Sequence, residues 1–147
     1  MIKLQEKSVI LELKSKNKES SLNELAQLLH DQCSTIDLAT ICQLLQEREL
    51  VGSTGVGNGV AIPHAKVRQL DQILICLGRS QGGIQFDSID NQPVHILFMI
   101  LSPADRPDEY LETLAKVSRF LKKSETRRQL RQATSAKKIV ELFNSSV

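Results

Sequence analysis

The stretch Val94-His-Ile-Leu-Phe-Met-Ile-Leu101 is an almost unbroken apolar run, and it constrains the fold more than any other part of the chain. It is too short to span a bilayer. As a strand it has no polar face to turn to water, so it must be central, with both sides of its sheet covered. The rest of the chain has to supply those covers. A sequence of 147 residues suits one domain over 1–147 and can bury a core of that kind without staples. Aromatic residues make up only 3%, with no Trp and Tyr110 alone of its type, so the core has to come from Leu, Ile, Val and Ala.

Amphipathic segments lie on both sides of this strand. Val9, Leu11 and Leu13 read as a first strand, followed by a solvated turn over Lys14–Ser20. Ser21 and Glu24 have the spacing of a capping box, and Leu22, Leu25, Ala26 and Leu29 follow at helical intervals. A second helix is expected from about Ile36 to Arg48, with Leu38, Ile41, Cys42 and Leu45 inward. Val60–Ile62 reads as a short strand, Ile73–Leu77 as another, and Gly82–Phe86 as a short edge strand before the central one. Pro107 is placed to open a helix whose inner face is Leu111, Leu114, Ala115, Ser118 and Leu121. Helices over Glu125–Gln132 and from Ser135, with Ala136, Ile139, Val140 and Phe143 inward, complete the chain. This order gives an α/β sandwich with a mixed sheet flanked by helices, without the strict strand–helix alternation of a doubly wound fold.

Several function classes drop out early. A formal net charge of +2 gives no electrostatic footprint for nucleic acid or for an anionic membrane. Val9–Leu13, interrupted by Glu12, is not a signal peptide, and no run is long enough to span a membrane, so a cytoplasmic protein is expected. Cys33, Cys42 and Cys76 form no CxxC pair, which fits reduced, buried thiols, and the three histidines lack zinc spacing. No cofactor or metal is expected.

The chemistry concentrates in Gly52-Ser-Thr-Gly-Val-Gly-Asn-Gly-Val-Ala-Ile-Pro-His-Ala-Lys66. Gly55, Gly57 and Gly59 fail the spacing GxGxxG, no GxxxxGK[ST] is present, and polar helical residues precede the glycines where a nucleotide motif needs a strand. Nucleotide binding is therefore set aside. Pro63 fixes the backbone just before His64 and has no N–H to donate. A glycine-rich loop can bring backbone donors close to a bound group. An imidazole held there, neutral at pH 7, can act as a nucleophile whose phosphoramidate passes its phosphoryl group onward. Such transfer needs positioning and positive charge, and Arg48 is the nearest upstream cation, although it can equally cap the second helix.

The stretch Glu47–Lys66, together with Phe86–Val94, Leu101–Asp105 and Leu111–Leu114, resembles the IIA proteins of the bacterial phosphoenolpyruvate-dependent phosphotransferase system. The class is fructose/mannitol, and the resemblance is best to its nitrogen-regulatory branch. It covers nearly the whole chain. It implies a sheet of about five strands and a phosphoryl group received on His64 from an HPr-like phosphocarrier. It also implies Arg48 as an active-site arginine, and Thr54 with Gly55, Gly57 and Gly59 as a phosphate-facing loop. Where the family usually has a second active-site histidine, this chain has Tyr110, which can hydrogen-bond a phosphoryl oxygen but carries no positive charge. A regulatory role with other proteins as targets is the leading expectation, because no transporter or HPr domain is fused to the chain. Passing the phosphoryl group to a IIB component, or acting as an unphosphorylated binding module, are the alternatives.

The remaining polar features have plain readings. His30 is expected on a solvated helix face and His95 in a structural role. Asp87 and Asp90 sit in a turn-forming segment with Asn91 and Pro93. Arg127, Arg128 and Arg131 form a solvated helix face, or a docking patch for an acidic partner.

Overall fold

The structure is a computed structural model and describes residues 2–146. A six-stranded mixed sheet stands between two helical layers. In chain order the elements are β1 (Val9–Ile10), α1 (Lys18–Gln32), α2 (Leu38–Val51), β2 (Gly55–Gly57), β3 (Val60–Ala61), β4 (His64–Val67), β5 (Leu74–Ile84), β6 (Val94–Pro103), α3 (Pro107–Lys122), α4 (Ser124–Gln132) and α5 (Ala136–Asn144). The sheet order is β1-β5-β6-β3-β2, with β4 also paired to β6. The expected α/β sandwich is the observed one, with one strand more than the family resemblance implied.

The apolar run is the central strand. β6 pairs antiparallel with β5 along one edge and parallel with β3 and β4 along the other. Leu97, Met99 and Leu101 face the core under α1 and α2, while Ile96, Phe98 and Ile100 face the core under α3, α4 and α5. All six are essentially inaccessible to water. β3 and β4 lie in the same register against β6: Val60 opposes Ile96, Ala61 opposes Leu97 and His64 opposes Ile100. They form one line of backbone interrupted only at Ile62-Pro63, whose peptide is trans. Pro63 cannot donate to the ladder, yet its carbonyl still accepts from Ile100 N–H at 2.9 Å.

Several boundaries differ from the sequence reading. The first strand stops at Ile10; Leu13 lies beyond it and packs its side chain against Gly78. α1 starts one turn earlier than the capping box implied, because Asn17 caps it by accepting from Ser20 N–H. Glu24 accepts instead from the backbone of Lys14 and Ser15, tying the preceding turn to the helix. α2 is capped by Asp37 and runs to Val51. The glycine-rich loop holds a further short strand, β2, which pairs with the expected β3 as a small hairpin, and Gly82–Ile84 belongs to β5, with an irregularity in register rather than a separate strand.

The inner face of α3 is Tyr110, Thr113, Val117, Phe120 and Leu121; Leu111, Ala115 and Ser118 point to water. The large side chains Tyr110, Val117 and Phe120 have most to gain from burial, and they turn the helix about one residue from the leucine stripe. Cys76 is buried, but Cys33 and Cys42 are only half-buried, as is His30.

The hairpin depends on glycine at one close approach. A Cβ on Gly55 would stand 2.9 Å from Ser88 Cα, backbone that cannot swing aside. Gly55→Ala is expected to lower unfolding stability by about 1–3 kcal/mol in urea titration. Gly82→Ala, where a Cβ meets nothing within 4 Å, should stay within about 0.5 kcal/mol of the parent. Equal midpoints for the two would show that the hairpin yields at Ser88.

Candidate phosphoryl-transfer site

His64 stands where the two helical layers meet at the edge of the sheet. Its backbone opens β4, held by the register to β6, and its side chain is half-buried. From the α2 layer comes Arg48, in the last turn of that helix. Arg48 Nε donates to His64 Nε2 at 3.1 Å, while its Nη1 donates to the Gly52 carbonyl at 2.8 Å. Arg48 thus closes the helix end and reaches the imidazole at once. From the α3 layer comes Tyr110, whose ring centroid lies 5.9 Å from that of His64 at a tilt of 51°.

The hydrogen bonds fix the state of the ring. His64 Nδ1 lies 2.8 Å from the Ile62 carbonyl. A carbonyl can only accept, so Nδ1 carries the proton; an arginine N–H can only donate, so Nε2 presents its lone pair. Both contacts are satisfied together by the neutral Nδ1–H tautomer alone. Electrostatics point the same way. Burial holds the imidazole below the ordinary histidine value of 6.5, the Ile62 carbonyl works against this, Arg48's charge pushes further down and Glu49's pulls up. The ring is therefore uncharged at neutral pH, with its lone pair on Nε2.

Glu49 was not singled out from the sequence. Its side chain is 6% exposed, and it accepts from Thr54 N–H at 2.9 Å, from the Thr54 hydroxyl and from Lys18 Nζ at 2.9 Å. Lys18 in turn lies over the Phe86 ring. Glu49 thus ties the start of α1, the end of α2 and the loop before β2 together beside Arg48. Its position directly after Arg48 was the available signal, but nothing in the spacing showed that the carboxylate turns inward. Thr54 is buried with its hydroxyl committed to Glu49.

The glycines serve the hairpin's packing. Gly55 abuts Ser88, Gly57 (φ +96°) faces the Asp90 carboxylate, and Gly59 (φ +76°) faces His95, its carbonyl accepting from His95 and Ile96 N–H. Asp90 accepts from the backbone of Asn58 and Gln92, and His95 Nδ1 pairs with the Ser80 carbonyl, so the turn and structural readings of these residues stand. Arg127 caps the end of α3 through the Leu121 and Lys122 carbonyls, and Arg128 pairs with Glu125. Among the described residues no cluster of three His, Cys, Asp or Glu side chains is placed to hold a metal, and no helix is long and apolar enough to cross a membrane.

The profile of the family described as "Phosphoenolpyruvate-dependent sugar phosphotransferase system, EIIA 2" matches residues 3–146. The chain belongs to that family. It is an EIIA phosphoryl-carrier component, and its relatives divide between transport and regulation. It is 34% identical over 137 residues to the PTS system fructose-specific EIIABC component of Bacillus subtilis, covering 93% of this chain but only 22% of that protein. It is 33% identical over 136 residues to a nitrogen regulatory protein of Bradyrhizobium diazoefficiens, covering 92% of this chain and 88% of the other. Among solved structures it resembles the nitrogen regulatory protein IIA-Ntr of Neisseria meningitidis, with a TM-score of 0.89 at 29% identity over 95% of this chain and 94% of that one.

The surroundings of the imidazole give signed expectations for its titration. By NMR, His64 should titrate below the ordinary histidine value. Arg48→Gln should raise it, and Glu49→Gln should lower it further. The unfolded chain takes up this proton first as pH falls. Stability therefore drops as the pH goes below about 6.5, and it levels off only below the folded value. A His64 that titrates above the ordinary value would contradict the assigned tautomer and burial.

Proposed function

We propose that this EIIA domain takes its phosphoryl group on His64 Nε2 from the phosphohistidine of an HPr-like carrier and works as a regulatory, nitrogen-type IIA. The observation that carries the reading is the pair of hydrogen bonds on one imidazole, Nδ1 to the Ile62 carbonyl and Nε2 to Arg48, which leaves the lone pair on the atom beside the cation. In the transfer, the Nε2 lone pair forms the new N–P bond as the donor's P–N bond breaks. The donor imidazole leaves with that electron pair, and His64 keeps its Nδ1 proton on Ile62. Arg48 yields Nε2 as phosphorus approaches. Tethered through Gly52, it stays close enough to donate to the phosphoryl oxygens. Tyr110 flanks the same group with a hydroxyl donor, while Thr54, Gly55, Gly57 and Gly59 support the loop that holds Arg48 and His64 in place.

The surface suits a protein donor. Leu50 and Val51 follow Arg48 at the end of α2, Leu111 follows Tyr110, and Val56 and Ile89 are brought together where Ile89 N–H donates to Gly55. All five are large apolar side chains left more than half exposed, the pattern of an interaction surface. The regulatory reading is supported by the near full-length match to nitrogen regulatory relatives. A phosphate placed among these residues adds charge and strong acceptors, enough to switch what binds there.

The test is incubation with phosphoenolpyruvate, enzyme I and HPr, followed by intact mass spectrometry at neutral and acid pH. One acid-labile adduct is expected, absent from His64→Ala and formed at least about tenfold more slowly in Arg48→Gln. An adduct on His64→Ala would overturn the acceptor. The adduct is expected to survive addition of a IIB domain; rapid discharge would replace regulation with a transport role.

A further inference from the structure

We propose that Lys66 is the second cation of the phosphoryl site, its ammonium held over the Tyr110 ring where it meets the phosphoryl group carried on His64. This rests on the reading of His64 as the acceptor. The argument begins with the strand. Along β4, Ala65 and Val67 are buried in the core beneath α1 and α2, whereas His64 and Lys66 turn the other way. Residues two apart on a strand share a face, their Cα atoms about 6.6 Å apart. The pairing of His64 with Ile100 and Lys66 with Ser102 pins both to the buried central strand, so this spacing is fixed by the fold.

Tyr110 joins the two side chains. Its ring centroid lies 5.9 Å from the His64 ring and 5.5 Å from Lys66 Nζ, the latter within the range of a cation–π contact. The aromatic ring thus serves as a shelf that keeps a long, flexible side chain beside the imidazole. Lys66 makes no ion pair among the described residues, where Lys18 is held by Glu49, Arg106 by Glu109 and Arg128 by Glu125.

The charge balance needs such a group. A phosphoryl group on Nε2 brings close to two negative charges. Arg48 brings one positive charge; Glu49 beside it is balanced by Lys18 and Glu109 by Arg106, which leaves Asp108 in the first turn of α3 to add to the negative side. Lys66 is an unpaired cation on the His64 face of β4. It forms no covalent bond and moves no proton; it stabilises the phosphoryl oxygens electrostatically as the N–P bond forms on Nε2.

The experiment measures two quantities on the full chain with phosphoenolpyruvate-charged HPr. One is the transfer rate at saturating donor. The other is the share of phosphoryl held by the chain at equilibrium with HPr. Lys66→Gln is expected to lower the saturated rate about tenfold and shift the equilibrium share towards HPr, with Lys66→Arg recovering most of both and thermal midpoints unchanged. If Lys66→Gln leaves the equilibrium share where it was, the proposal fails, whether the rate is unchanged (a solvated side chain) or falls only below saturation (a residue that steers the donor). His64→Ala runs in parallel: an adduct there removes the acceptor reading and this inference with it, whereas no adduct there with an unaltered Lys66→Gln removes this inference alone.

Discussion

The imidazole of His64 is held at two points, and the first depends on backbone placed by the central strand. Nδ1 is anchored by the carbonyl of Ile62, two residues earlier on the same line of chain. That line, β3 through β4, runs in constant register along β6. Pro63 breaks the regular ladder between them without shifting the register. The ring is therefore bound to a rigid sheet rather than to a loop, and its orientation follows from packing in two cores: the same β6 that buries Phe98 and Met99 positions the backbone from which His64 projects. In the proposed transfer the ring keeps its tautomer and orientation, and only Arg48 has to move off Nε2.

The second anchor comes from a different layer. Arg48 and Glu49, adjacent at the end of α2, divide their work: the guanidinium turns to His64 and Gly52, the carboxylate to Thr54 and Lys18. Glu49 is nearly buried and accepts three hydrogen bonds, so its charge is well compensated locally. Removing any one donor leaves a buried carboxylate short of partners, and the loop that presents Gly52 to Arg48 loses its fixed point. Opposite charges in consecutive residues thus serve placement of the site as much as its electrostatics.

Much of this was legible in the sequence, for identifiable reasons. The unbroken apolar run could only be a central strand, Pro107 and Ser135 mark helix starts that the structure keeps, and Pro63-His64 stands out against the glycines. What was not legible depends on contacts distant in sequence. Asn17 caps α1 instead of Ser21 because Glu24 is drawn back to the Lys14–Ser15 backbone. The α3 face follows Tyr110, Val117 and Phe120, whose burial depends on what lies opposite, so a leucine count misplaced it. Lys66 was overlooked because β4 was not expected; without a strand there is no reason to put residues 64 and 66 on one face.

The glycines, which first drew attention, do a different job from the one their density implies. Their recorded neighbours are Ser88, Asp90 and His95, so they let the hairpin pack closely beside the site. A pocket of backbone donors would enclose an anion and suit a small bound nucleotide. Here Nε2 accepts from the Arg48 side chain of the α2 layer, Tyr110 of the α3 layer lies against the imidazole with Lys66 of β4 over its ring, and five large apolar side chains are left exposed. That arrangement fits a group handed between two proteins. The proposed transfer requires the imidazole to be reachable by a second protein's phosphohistidine, so the site cannot close over it, and the charges that would hold the phosphoryl group have to be mobile enough to part as the partner docks. Long side chains, one held through its guanidinium to Gly52 and one with its ammonium over an aromatic ring, meet both requirements.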